Sequence, residues 1–209
     1  MATERQIGDR ALELFAALLL GMATVATAWC AFQAARWNQE GTDQSRTAGQ
    51  SRLEASRLVG IGTQKVAYDA TIAALYAQAV VDGREDLQRF YKENLVRPDF
   101  LPIIEQWEAN AASESPETLN LFENEEYLEE QAAASRVADA RADEALEKER
   151  EASDNAEGFI QTTIFLASAL FFAGVTANFR SRPVRLLLLG IGALTFAAGI
   201  AQIADLAVA

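Results

Sequence analysis

Residues 158–204 read GFIQTTIFLASALFFAGVTANF, then RSRPVR, then LLLLGIGALTFAAGIAQIA: two uncharged apolar runs of 22 and 19 residues, held apart by six residues of which three are arginine. A helix needs about 20 apolar residues to cross the hydrocarbon core of a bilayer, so each run is long enough to span. The connector forces an antiparallel pair, and Pro183 cannot continue the first helix but suits the start of the second. A third uncharged run, LFAALLLGMATVATAWCAF at residues 14–32, lies near the N-terminus between Glu13 and Gln33. A cleaved signal peptide has a shorter apolar core, about 7–15 residues, and a small-x-small cleavage site. This run is longer, and Trp29 directly before Cys30 does not fit lipoprotein processing, so the reading is an uncleaved anchor.

The expected class is therefore all-α, a membrane protein with three transmembrane helices and a long extramembrane helical hairpin between the first and the second. The boundaries are 1–13 for a short N-terminal segment, 14–32 for the first span and 33–157 for the extramembrane helical domain. The second span covers 158–179, a basic turn 180–185, the third span 186–204 and a tail 205–209. Short cytoplasmic loops accumulate Lys and Arg, which makes Arg180, Arg182 and Arg185 topology-setting. They put the turn and the N-terminus in the cytoplasm and residues 33–157 outside. Arg5 and Arg10 beside the first span agree.

Composition closes several routes to chemistry. The 209 residues carry a net charge of −12, with one cysteine and no histidine. That removes histidine-containing zinc sites, Cys-His nucleophiles and any disulfide within one chain. Of the 30 acids, 26 fall in residues 33–157 against 13 basic residues, a segment charge of −13 that makes nucleic acid an improbable partner. The acidic run 123–130 reads as a solvated helix start, without the loop spacing that calcium or magnesium prefers. The two GIG triplets, at 60–62 and 190–192, lack the flanks of a phosphate loop. No cofactor and no metal site is expected.

Residues 58–79 place Leu58, Ile61, Val66, Tyr68, Ile72, Leu75, Tyr76 and Ala79 near a 3–4 residue rhythm, a helix with one apolar face. Gly41, Gly49, Gly60 and Gly62 each weaken a helix by up to about 1 kcal/mol relative to alanine, so one rod leaving the first span is an expectation with a cost attached. Pro98, Pro102 and Pro116 break the distal part into short helices, where Phe100, Leu101, Ile104 and Trp107 form a small apolar cap. The return from about residue 125 is rich in Ala, Glu and Arg and enters the second span without a breaker other than Gly158. Its apolar heptad positions are mostly alanine, so the reading is a close, alanine-lined coiled coil. An intramolecular hairpin is favoured over pairing between subunits.

ATAWCAFQAARWNQEGTDQS at the exit of the first span, and NLFENEEYLEEQAAASRVADARADEALEKEREASDN running into the second, resemble a widespread bacterial family of small uncharacterised three-span membrane proteins. Phe32, Trp37, Glu40 and Gln44 match an aromatic, a tryptophan, an acid and glutamines of the family pattern. The chain departs from it at Gln39, where glycine is common. The resemblance implies the bacterial inner membrane and the same order of elements; it implies no activity.

Individual residues then take roles. Trp29, Phe32 and Trp37 read as membrane-interface anchors. Ala169, Ala173 and Ala177, and Ala193, Ala197 and Ala201, recur every fourth position and read as helix-packing stripes, which favours self-association. Thr163, Ser168 and Thr176 are candidate pore-lining residues. None of the polar groups within the spans is ionisable, so a proton relay is disfavoured. The functional reading is a non-enzymatic membrane scaffold or adaptor with the lipid bilayer and copies of itself as partners, and a partner protein for the acidic helical domain. The alternative is a homo-oligomeric channel or pore lined by the polar face of the second span.

Overall fold

The computed structural model describes residues 2–111 and 124–208, with side chains described from residue 10 onward apart from Ala111. It is all-α: α1 (Ala2–Val81), α2 (Glu85–Asn94), α3 (Leu101–Ala111), α4 (Glu125–Val175), a 3₁₀ turn at Thr176–Asn178, and α5 (Arg182–Asp205). Pro98 separates α2 from α3 and Pro102 sits in the first turn of α3, where its missing N–H costs nothing. Pro116 and the beginning of the acidic run lie outside the described residues. Three helices, Arg10–Val81, Glu125–Asn178 and Arg182–Asp205, contain stretches long and apolar enough to cross a membrane.

The chain divides into two compact units, Met1–Thr47 with Glu144–Ala209, and Ala48–Asp143. In the first unit, the N-terminal part of α1 and the C-terminal part of α4 run antiparallel, and α5 returns antiparallel to α4. Small residues set the spacing. A Cβ added to Gly192 of α5 would stand 3.3 Å from the Ala169 carbonyl oxygen and 3.4 Å from Leu19, and one added to Gly199 would stand 3.1 Å from Leu166. Ala23, Cys30, Ala169 and Ala173 are buried between the helices with Leu19, Phe159 and Leu166. Outward, the surface is apolar: Leu18, Met22, Val25, Ile164, Phe171 and Leu194 are all exposed. Such a surface is costly in water and matches lipid.

The second unit packs the C-terminal half of α1 against the start of α4, and α2 and α3 close the end. Its core is Val66, Ala73, Tyr76, Phe100, Ile104 and Tyr127, with Trp107 packed against it. The apolar cap expected from Phe100, Ile104 and Trp107 is therefore present, while Leu101 stays at its margin. α1 ends where Gly83 turns to φ +67°, with its N–H donating to the Val80 carbonyl and that of Arg84 to the Ala79 carbonyl. This pair of bonds is the Schellman stop, which favours glycine at the left-handed position. α4 begins where Asn124 Oδ1 accepts the N–H of Tyr127 at 3.0 Å, a side-chain N-cap.

The glycines of α1 do not interrupt it, and the reason is positional. Ala34, Gly41, Ala48, Ala55, Gly62, Asp69 and Tyr76 are each buried and spaced by seven. A strict seven-residue period keeps one face turned toward a partner helix. In the second unit Gly62 lies so near α4 that an added Cβ would be 3.0 Å from the Gln131 carbonyl oxygen; in the first, Gly41 sits against Ala152. The helix–helix packing that these two glycines permit outweighs their propensity cost.

Candidate functional site

The densest polar arrangement lies inside the second unit. Asp69 comes from the buried face of α1 and is fully excluded from solvent. Arg97, from the α2–α3 connection, grips it with two nitrogens, Nε at 2.9 Å from Oδ1 and Nη2 at 2.7 Å from Oδ2. Tyr127, in the first turn of α4, donates its hydroxyl to the same carboxylate. Three separate stretches of chain thus converge on one carboxylate. The hydrogen bonds to Asp69 hold Arg97 protonated beyond its ordinary range, and burial, followed by the bond to Asp69, pushes the Tyr127 phenol up. Bidentate arginine–carboxylate pairing of this kind is strong and geometrically specific.

A second network lies beside it. The Tyr76 hydroxyl donates to Glu108, and Lys92 Nζ donates to the same carboxylate at 2.8 Å. Burial and the Glu108 contact raise the Tyr76 phenol. Burial opposes ionisation of Glu108, but its bonds from Lys92 and Tyr76 win, and its carboxyl falls below the ordinary 4.5. Both networks are closed by the protein's own groups. They lock α1, α2, α3 and α4 at this end of the unit. Among the described residues no group of three or more His, Cys, Asp or Glu side chains is placed to hold a metal ion.

The residues singled out in and beside the long apolar stretches fall as follows. Trp29 and Phe32 are exposed with ring centroids 6.1 Å apart. Trp37 is tied down: its Nε1 donates to the Ala207 carbonyl at 3.0 Å, and its ring packs beside Cys30, Ala34, Phe159 and Leu166. At the other end of that unit Arg180 and Arg182 are exposed, while the side chain of Arg185 is only 12% exposed and reaches Glu13 at 3.6 Å. Among the described residues, α1 is thus tied at one end of the unit to the tail after α5, through Trp37 and Ala207, and at the other to α5 itself, through Glu13 and Arg185.

Of the alanine stripes, Ala169 and Ala173 are buried and Ala177 is exposed. In α5 the buried positions are Leu189, Gly192 and Gly199; Ala193 is half-buried and Ala197 and Ala201 face outward. The packing seam of α5 runs one residue before the alanine stripe. Thr163, Ser168 and Thr176 each donate to a carbonyl of their own helix, at Ile160, Ile164 and Phe172. At 3.6 residues per turn, Ser168 and Thr176 lie about 140° and 220° around α4 from Thr163. Thr163 therefore lies opposite the other two, which are about 80° apart, and Thr176 is buried.

Sequence reasoning missed Asp69, Arg97 and Tyr127. The signal was present: Asp69 is the only acid between Glu54 and Asp82, and it stands in an apolar run. No protein-family model matches the chain, and neither a curated protein nor a solved structure matches it.

Proposed function

We propose that this chain is a non-enzymatic integral protein of a bacterial inner membrane that works as an oligomeric scaffold or adaptor. Residues 14–32, 158–179 and 186–204 are its spans, the basic turn 180–185 and the N-terminus are cytoplasmic, and residues 33–157 form the extracytoplasmic helical hairpin. One observation carries the reading: α1 and α4 each continue from an apolar span into the polar, helical second unit without a break in the helix. A load or a bound partner at that unit then acts on the membrane helices through continuous hydrogen-bonded backbone. The internally satisfied networks around Asp69 and Glu108 support this, since they stiffen that unit. A partner protein for the acidic hairpin fits the same reading. The pore reading is weaker, because Thr163 lies opposite Ser168 and Thr176, Thr176 is buried, and all three hydroxyls bond their own helix.

The test is the mass of the full chain in lipid nanodiscs by light scattering corrected for lipid. A defined assembly of two or more copies is expected. A monomer at every protein-to-lipid ratio refutes the oligomeric scaffold, and a ring that conducts ions restores the pore.

A further inference from the structure

We infer that a phospholipid with an anionic headgroup seats on the first unit, one acyl chain in the groove between α1 and α5 and its phosphate at Arg10 and Arg182; this rests on the membrane reading above and names a ligand for it. The groove holds about 700 Å³, and every residue that lines it is apolar, among them Ala17, Gly21, Val25 and Trp29 of α1 and Phe196 and Ile200 of α5. Gly21 gives it depth, since a Cβ added there would meet nothing within 4 Å. From Ala17 to Trp29 the groove runs about 18 Å along α1, at 1.5 Å per residue. Half of the hydrocarbon core is about 15 Å, so one acyl chain of ordinary membrane length fills it.

Charge fixes which way the lipid points and which headgroup it carries. α1 and α5 run parallel, because Glu13 meets Arg185 at one end and Trp37 meets Ala207 at the other. Arg10 and Arg182 each lie three residues before the Glu13–Arg185 pair, so they share one level, about 10 Å beyond Ala17. That distance leaves room for the glycerol and its esters between chain and phosphate. Around its helix Arg10 stands within about 20° of Ala17 and Gly21, and Arg182, about five turns before Ile200, stands in line with it. Both arginines are exposed, as is Arg180 in the turn, and among the described residues none of the three side chains has an ion pair or a hydrogen bond. Among the described side chains the one acid at this end is Glu13, and it faces Arg185. Free guanidinium groups beside an apolar groove match a phosphate, which each can bind through two N–H donors. The opposite end disfavours one. Residues 1–13 and 180–185 hold five arginines and three acids, whereas residues 33–47 and 144–157 hold eight acids and four basic residues. There Arg36 shares its recess with Glu40 and Asp43. An anionic headgroup is therefore drawn to the turn end of the groove.

The experiment uses the full chain in detergent, mixed with equal amounts of palmitoyl-oleoyl phosphatidylglycerol and palmitoyl-oleoyl phosphatidylcholine, which carry the same chains. Native mass spectrometry reads the lipid retained. Phosphatidylglycerol is expected to be retained over phosphatidylcholine by about fivefold or more. Arg10→Gln combined with Arg182→Gln is expected to bring that ratio close to one, while Arg36→Gln leaves it unchanged. Gly21→Leu fills the groove with a residue of better helix propensity, and should lower phosphatidylglycerol retention by a similar factor with helical content unchanged. Equal retention of the two lipids by the parent chain, or a preference that survives the double arginine variant, overturns the proposal. Retention that Gly21→Leu does not alter overturns the seated chain, and if that variant lowers the mass of the assembly instead, the groove belongs to a second copy. A chain that alkaline carbonate washes out of bacterial membranes overturns the membrane reading and the lipid with it. A chain that stays in them without a lipid preference overturns the lipid alone.

Discussion

Replacing Asp69 by asparagine removes a charge and almost no volume, so its consequence is set by what the carboxylate holds. Asparagine keeps one acceptor oxygen of the two, so at least one donor of Arg97 then faces an amide NH2 instead of an oxygen, and the negative charge that balanced the guanidinium is gone. Breaking a buried pair from one side costs about 3–5 kcal/mol, because the remaining charge stays desolvated. Arg97 keeps a fifth of its side chain in water and has Asp99 at 3.7 Å as a second anion, which points to the lower end, about 3 kcal/mol. At about 1.4 kcal/mol per factor of ten, amides that exchange through opening of this unit should exchange about 150-fold faster. Hydrogen exchange with mass spectrometry on the full chain in nanodiscs reads this directly in peptides covering 85–111. Exchange within threefold of the parent there would refute the reasoning. The triple replacement Asp69→Leu, Arg97→Met and Tyr127→Phe removes every member of the network. It should cost less than half as much as Asp69→Asn, since no uncompensated charge remains.

Three further predictions follow the same logic. Gly49 has open space beside it and Gly62 does not. Gly49→Ala should therefore stabilise the second unit by about 0.5–1 kcal/mol, and Gly62→Ala should destabilise it, both read as shifts in amide protection. Tyr76 and Tyr127 have phenols raised above 10.0 in the folded unit, so unfolded tyrosines ionise first and the stability they contribute, complete below pH 10, is lost as pH rises beyond it. Helicity of the second unit should fall more steeply above pH 10 than in a Tyr76→Phe, Tyr127→Phe variant, and equal slopes would contradict the assignment. Trp37→Phe removes the bond to the Ala207 carbonyl. It should cost about 1 kcal/mol and speed exchange at residues 205–208, with little effect elsewhere.

The three long apolar helices were legible because nineteen or more residues without a charge leave few alternatives, and the breaks around Pro98 because proline has no N–H to give. The cap of Phe100, Ile104 and Trp107 was legible from helical spacing alone. Glycine was harder. Gly41 and Gly62 are set apart from Gly49 and Gly60 only by their place in a seven-residue period, and propensity ignores place. Within one chain α5 packs through Gly192 and Gly199, a small-residue stripe about 100° from Ala193–Ala197–Ala201, and only the neighbouring helix decides which of the two it meets. The partners of Asp69 lie 28 and 58 residues away in sequence, beyond any local pattern.

The central claim is that the basic turn and the second unit lie on opposite sides of one membrane. In a Cys30→Ala background, Ser181→Cys and Ala140→Cys place single thiols in the turn and on α4, and a membrane-impermeant maleimide is applied to intact bacterial cells expressing each. The account predicts labelling of Ala140→Cys in intact cells and of Ser181→Cys only after the membrane is opened. Labelling of Ser181→Cys from outside, or of both thiols alike, would contradict it.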